Sequence, residues 1–210
     1  MDAALDHLVS TRRSLHAVAE LVLAGPQLTE SDSIELRVTP GGFATVAAPG
    51  LSVRDGRVVT ADREVVVDGR TAAEVAADCG VTATSLAHVY AGGPNVAPDE
   101  VLAVDEEAAV ALADAFALGD AALRAFAPDQ RPVLWPEHFD VGITVGRVNY
   151  GVSPGDEHRP APYAYVGPWE VPAGDFWNEP FGAARDLDAF GDADELAAWF
   201  REGQRRATTA

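Results

Sequence analysis

Apolar residues recur at helical spacing through the first part of the chain. The intervals between them are three, four or seven positions, as on one face of an α-helix, and they involve Leu5, Leu8, Leu15, Val18 and Val22. Gly25 and Pro26 follow directly, and this pair is typical of a helix end. The pattern therefore predicts a helix over residues 4–24.

Alternation replaces the helical spacing from residue 33 onward. Ile34, Leu36 and Val38 are separated by polar residues, which is the period of a half-buried strand. A turn follows at residues 40–42, where proline precedes two glycines. Further short strands are predicted over 43–47, 51–53 and 64–67.

Capping patterns predict three more helices. Thr71 with Glu74 forms a capping box at the start of a short helix. Asp105 precedes a long apolar-rich run that stops before Pro128, and its side chain is expected to cap that helix. Asp192 opens the last amphipathic helix of the chain.

Residues 133–171 read again as short strands separated by turns, so each half of the chain combines helices with hairpin-like strands. We therefore expect an α+β fold in which helices pack on one face of a mostly antiparallel sheet. The stretch 91–98 has the composition of a linker. It divides the chain into residues 1–98 and 99–210, which form one compact domain or two closely packed subdomains.

Composition narrows the function classes. The chain has 210 residues and a formal charge of −18, its 15 basic residues are all arginine, and Cys79 is its one cysteine. A Schiff-base or P-loop lysine is therefore excluded, and so is an intrachain disulfide. A single cysteine, the acidic start of the chain and the lack of a long apolar run predict a cytoplasmic protein.

The same charge bears on partners. Binding to a phosphate backbone requires clustered basic side chains, and the one short cluster is Arg201, Arg205 and Arg206. We expect neither nucleic acid nor membrane as a partner, and a small molecule as the ligand. The sequence indicates no particular cofactor and leaves the oligomeric state open.

Four motifs lie close together in the second half of the chain. They are Leu-Trp-Pro-Glu-His-Phe-Asp at 134–140, Asn-Tyr-Gly-Val-Ser-Pro-Gly-Asp at 149–156, Pro-Tyr-Ala-Tyr-Val-Gly-Pro-Trp at 162–169 and Phe-Trp-Asn-Glu-Pro-Phe-Gly at 176–182. With the turn at 39–43, they make the chain resemble an uncharacterised family of actinobacterial proteins. That resemblance implies no activity, cofactor or catalytic residue.

A strand over residues 138–145 would place its polar residues on one face. Alternation assigns Phe139, Val141, Ile143 and Val145 to the core. His138, Asp140, Gly142 and Thr144 then share the other face. A hairpin at Gly146 and Arg147 returns the chain, and Tyr163, Tyr165 and Gly167 would line one face of a third strand.

Three interpretations of this region remain open. In the first, His138 and Asp140 are an acid–base pair in an organic-ligand pocket, whose binding residues are Trp135, Asn149, Tyr163, Tyr165 and Trp169. In the second, His138 and Asp140, together with His158 or Asp156, ligate a divalent metal ion in a metal-dependent enzyme. In the third, the protein has an interaction or structural role, and the motifs only fix turns and core packing.

The segment 151–155 matches the G-x-S-x-G pattern of a hydrolase nucleophile elbow, with Ser153 as the nucleophile. The elbow uses the backbone N–H of the following residue in its oxyanion hole. That residue is Pro154, which has no N–H. We therefore reject a serine hydrolase and expect residues 154–155 to occupy the centre of a type II turn.

Overall fold

The computed structural model describes residues 3–208 and divides them into two compact units. The first unit contains the described residues up to Asp114 together with Leu134–Phe139. The second unit contains Ala115–Val133 and the described residues from Asp140 onward. The division thus differs from the predicted boundary after residue 98.

The first unit extends past residue 98 because the following segment is bonded to its N-terminal elements. The Leu102 N–H donates to the Arg70 carbonyl oxygen at 2.8 Å. The Asp105 N–H donates to Thr11 Oγ1 at 2.9 Å. These hydrogen bonds hold residues 99–105 in the first unit, together with the linker-like stretch 91–98.

Short strands form the sheet of the first unit. They are antiparallel neighbours in the order β6-β1-β2-β3-β4-β5, and the π-helix contacts β2. The bounds are α1 Ala3–Ala17, the π-helix Val18–Ala24, α2 Gly25–Ser31, β1 Leu36–Thr39, β2 Gly42–Thr45, β3 Ser52–Arg54, β4 Arg57–Val59, β5 Glu64–Val66, α3 Ala72–Asp78 and β6 Val133–Trp135.

The N-terminal helix does not end at Gly25 and Pro26, which corrects the sequence-based prediction. Helix α1 passes into the π-helix, and α2 continues to Ser31. The Gly25 N–H donates to the Glu20 carbonyl oxygen, the i to i+5 bond of a π-helix. Pro26 consequently lies in the first turn of α2 within this continuous helix. Because proline has no N–H, it cannot donate to the Leu21 carbonyl oxygen in the π-helical pattern, and the Thr84 N–H donates to that oxygen at 2.9 Å.

The strands of the second unit form an antiparallel meander in the order β7-β8-β9-β10. Helix α4 starts in the first unit and continues into the second from Ala115. The bounds are α4 Glu106–Phe126, β7 Asp140–Val145, β8 Val148–Ser153, β9 Tyr163–Pro168, β10 Ala183–Asp186, a short 3₁₀ turn Leu187–Ala189 and α5 Ala193–Thr208.

Helices α4 and α5 cover one face of this meander. Val141 pairs with Val152 across β7 and β8, and a Cβ on Gly119 of α4 would lie 2.8 Å from both side chains. Tyr150 on the same face packs against the rings of Phe126 and Phe200, at centroid distances of 4.6 and 5.9 Å. The opposite face carries the polar residues of the motifs.

The predicted caps and hairpin are confirmed. Thr71 accepts from the Glu74 N–H at 3.2 Å and Asp105 Oδ1 accepts from the Ala108 N–H at 2.9 Å. Gly146 and Arg147 have φ values of +59° and +65°, as a two-residue type I′ turn requires.

The fold is α+β, with antiparallel strands and helices packed against them, as predicted. No helix among residues 3–208 combines the length and apolar character needed to cross a membrane.

Candidate functional site

The polar face of strands β7 to β9 is built around two glycines. Gly142 lies opposite Gly151, and Gly151 lies opposite Tyr165 in the strand register. A Cβ on Gly151 would lie 2.4 Å from the Tyr165 hydroxyl oxygen, and a Cβ on Gly142 would lie 2.9 Å from it. The absence of these two side chains lets the tyrosine lie across both strands.

Tyr165 reaches Asp140 by this path. Its hydroxyl donates a hydrogen bond to Asp140 Oδ2, and Asp140 is only 7% exposed. Burial raises the pKa of Tyr165 well above its ordinary value, and the nearby charge of Asp140 raises it further. The phenol therefore stays protonated and serves as a hydrogen-bond donor to the carboxylate.

Tyr163 and Asp156 form a second carboxylate–phenol pair on the same face. The Tyr163 hydroxyl donates to Asp156 Oδ2 at 2.6 Å. Burial raises the pKa of Tyr163, as do the hydrogen bond to Asp156 and the charges of Asp156 and Asp140. Asp156 Oδ1 in turn accepts from the N–H groups of His158 and Arg159, at 2.8 and 2.7 Å.

Ser153 is buried beside these pairs and supports the turn that follows it. Its Oγ accepts from the Gly155 N–H at 3.2 Å. Gly155 has a φ of +100°, a left-handed value that suits the third position of a type II turn. The serine thus serves the loop geometry, in agreement with the rejection of a nucleophile elbow.

Arg159, which follows this loop, bonds two further carboxylates. It donates to Glu179 Oε1 through Nε at 3.0 Å and Nη2 at 2.8 Å, and to Asp186 Oδ1 through Nη1 at 2.7 Å. Its guanidinium lies 5.8 Å from the centre of the Tyr163 ring. Sequence analysis missed Arg159 and Glu179, because residues twenty positions apart on irregular segments leave no periodic signal.

His138 does not share strand β7 with Asp140, contrary to the predicted strand over 138–145. The strand begins at Asp140, and Phe139 has a left-handed φ of +53°, so alternation is interrupted between them. The His138 side chain is 67% exposed and lies 3.9 Å from Glu137. Phe139 is buried in the first unit, where its ring contacts Phe43. Trp135, at 37% exposure, also belongs to that unit.

The side chains of the remaining predicted residues contact groups outside the two carboxylate–phenol pairs. Asn149 is exposed, and its Oδ1 accepts from Thr144 Oγ1 at 2.8 Å. Trp169 is 62% exposed and lies 5.2 Å from the Arg147 guanidinium. The His158 imidazole is 74% exposed and 3.4 Å from Glu179. The structure therefore brings together Asp140, Tyr163 and Tyr165 from the predicted set.

Within residues 3–208, no group of three or more His, Cys, Asp or Glu side chains is placed to hold a metal ion. The predicted ligand set of His138, Asp140 and His158 does not form such a group. Comparison with known proteins found no matching family model, curated protein or solved structure. The chemistry of the site therefore rests on its own geometry.

Proposed function

We propose that the protein binds a small organic molecule at the polar face of strands β7 to β9. Asp140, Tyr163 and Tyr165 are its binding residues. One observation carries the proposal: a buried carboxylate stands beside two phenols, on the face of the strands opposite α4 and α5. Buried ionisable groups with shifted pKa values concentrate at binding and catalytic sites.

The geometry favours a ligand that donates hydrogen bonds. A carboxylate oxygen can accept more than one hydrogen bond, so a ligand donor can join or replace the donors that already bond Asp140 and Asp156. The tyrosine rings add apolar area, and this combination is the usual composition of an organic-ligand site. An enzyme that uses Asp140 as a base would share this site. We do not extend the proposal to His138, which belongs to the first unit and is largely exposed. The single cysteine agrees with a reducing compartment, and we place this binding in the cytoplasm.

A ligand screen tests the proposal. A library of small amines, amides and hydroxylated ring compounds is scored by thermal shift and confirmed by calorimetry. Asp140→Asn and Tyr165→Phe are expected to weaken the binding of each confirmed compound at least about tenfold, the loss expected for one hydrogen bond to a charged group.

Tyr150→Phe is the matched control. Tyr150 lies on the opposite face of β8, and its buried hydroxyl has no hydrogen-bond partner among the described residues. This variant removes a phenol oxygen from the same unit without touching the site, so binding should be unchanged. Equal loss in the control, or binding that survives both site variants, would contradict the assignment.

A purely structural role is the second candidate, and the packing of Tyr165 over Gly142 and Gly151 favours it. In that case no compound binds at this face. Asp140→Asn and Tyr165→Phe would then lower the free energy of unfolding by about 1–3 kcal/mol, because each leaves a buried polar partner poorly satisfied. Chemical denaturation measures this loss, and the ligand screen separates the two roles, because the buried hydrogen bond is lost in both cases.

A further inference from the structure

The chain between α3 and α4 is long and has no regular secondary structure. Leu86 and Val96 are buried within it, at 0% and 8% exposure. The nine residues between them, 87–95, are mostly exposed, and Val89 is 47% exposed. Irregular segments of this length in compact proteins are commonly functional, as active-site lids are.

Glu20 lies beneath this segment at the centre of the π-helix. It is only 4% exposed, which is unusual for a carboxylate. π-helical turns are rare and occur frequently at functional sites. The wide turn leaves the Leu21 carbonyl oxygen available to a partner outside the helix, and the Thr84 N–H donates to it at 2.9 Å.

The Glu20 carboxylate accepts its hydrogen bonds from residues of the irregular segment. Oε1 accepts from the Leu86 N–H at 3.1 Å and from Ser85 Oγ at 3.3 Å. Oε2 accepts from the Tyr90 hydroxyl at 3.0 Å. Burial raises the pKa of Tyr90, and the charge of Glu20 raises it further, so the phenol remains a donor.

Two glycines allow the close approach of the segment to the helix. A Cβ on Gly93 would lie 2.3 Å from Glu20 Oε2, and a Cβ on Gly25 would lie 2.0 Å from the Thr84 carbonyl oxygen. Neither has a left-handed φ, so space and not backbone conformation requires glycine at both positions. The base of the segment is thus fixed at Thr84 and Leu86, while residues 87–95 meet the carboxylate through Tyr90 and Gly93.

We propose that residues 87–95 form a flap that opens while the rest of the first unit stays folded, and that the Tyr90–Glu20 hydrogen bond is its latch. Opening breaks this bond and moves Gly93 away, but it leaves the apolar anchors Leu86 and Val96 in place. It uncovers the Glu20 carboxylate, which then becomes available to a hydrogen-bond donor from outside the protein. The flap lies in the first unit and is independent of the function proposed for strands β7 to β9.

Carboxyl labelling tests the flap on the full chain. Carbodiimide with glycine ethyl ester modifies accessible carboxylates, and mass spectrometry locates the label. The tryptic peptide 14–37 holds the buried Glu20 together with the exposed Glu30 and Asp32, which serve as internal references. In the unaltered protein, Glu20 should label much more slowly than these two.

Two variants release the latch by different means. Tyr90→Phe removes the hydroxyl donor, and Gly93→Ala places a methyl group against Oε2. Each is expected to raise the labelling rate of Glu20 about tenfold or more, the change expected when one hydrogen bond to a charged group is lost. Arg54→Ala is the matched control, because it removes an exposed arginine of the same unit whose ion-pair partner, Glu64, lies on strand β5 and not in the flap.

Hydrogen exchange of the β1 and β2 amides reports opening of the whole first unit. Faster Glu20 labelling in both variants, with unchanged exchange in β1 and β2 and slow labelling in Arg54→Ala, supports the flap. The proposal is overturned if Glu20 stays protected in both variants. It is also overturned if Glu20 labelling rises only together with strand exchange, or if Arg54→Ala has the same effect.

Discussion

His16 joins the N-terminal helix to the turn at residues 136–139 through its imidazole. The Nε2–H donates to the Pro136 carbonyl oxygen at 2.7 Å, and the ring stacks on Phe139 at a centroid distance of 5.2 Å and an angle of 6°. Burial lowers the pKa of His16 to about 4, although the bond to Pro136 acts in the opposite direction. The folded protein therefore holds this histidine in its neutral form.

This lowered pKa predicts a loss of stability in mild acid. The unfolded chain takes up the proton near pH 6.5 and the folded chain only near pH 4, so His16 protonation favours unfolding as the pH falls through this window. The resulting loss in the free energy of unfolding is at most about 3 kcal/mol, and it is absent above the pKa of His16 in the unfolded chain. Urea denaturation between pH 7 and pH 4 should show it in the unaltered protein and not in His16→Phe.

His7→Gln is the control for this measurement, because the His7 side chain is 62% exposed on the same helix. Its pH dependence should match that of the unaltered protein. A His16→Phe variant that loses stability with acid as steeply as the unaltered protein would refute the assignment to His16.

At the scale of elements, the outer strand β10 is protected by a side chain. Asn178 donates through Nδ2 to the Ala184 carbonyl oxygen at 3.0 Å and accepts from the Ala184 N–H at 2.9 Å. Its amide thus occupies two of the backbone groups that a further strand would use. Unprotected sheet edges invite pairing between chains, so the motif at 176–182 acts as an edge cap.

Removing the cap is expected to destabilise the second unit and promote self-association. Asn178→Ala should lower the free energy of unfolding by about 1–2 kcal/mol, because two hydrogen bonds to the edge are lost. Sedimentation velocity should show association that increases with concentration. Asn178→Asp keeps the acceptor oxygen, and its stability should lie between those of the unaltered protein and Asn178→Ala. If Asn178→Ala is monomeric and as stable as the unaltered protein, Asn178 does not act as a cap.

At the scale of the whole molecule, acidic residues far outnumber basic ones. The chain carries 33 acidic residues against 15 arginines, and arginines on both units are paired with carboxylates. Arg13 bonds Glu100, Arg124 bonds Asp120 and Arg159 bonds Glu179. Such pairing leaves little basic surface for a polyanion, whose binding depends on neutralising phosphates with free cationic groups.

We therefore expect no affinity for duplex DNA at micromolar protein, even at low salt, where electrostatic attraction is least screened. Fluorescence anisotropy of a labelled duplex measures this, with a basic DNA-binding domain as the positive control. A salt-dependent rise in anisotropy on adding the protein would overturn the expectation.

Local patterns were sufficient for most of the secondary structure. The capping side chains Thr71, Asp105 and Asp192 and the hairpin at 146–147 were all predictable, because each acts within a few residues of itself. The shared face of Tyr163 and Tyr165 followed from strand alternation in the same way. Strand β4, strand β10 and the π-helix were not predicted. Strand β4 does carry a local signal, because Asp55 and Gly56, with φ values of +49° and +73°, form a two-residue hairpin turn before its valines. Strand β10 and the π-helix have no comparable signal.

The sequence by itself determined the α+β class, the caps and turns, and the strands that carry Asp140, Tyr163 and Tyr165. Only the tertiary structure decided which side chains meet. It separated His138 from strand β7 through the left-handed Phe139, and it brought Glu20 to Tyr90 across seventy positions. Hydrogen-bond partners far apart in sequence are selected by packing, and packing depends on the whole chain, whereas helix caps and strand alternation depend on neighbours alone.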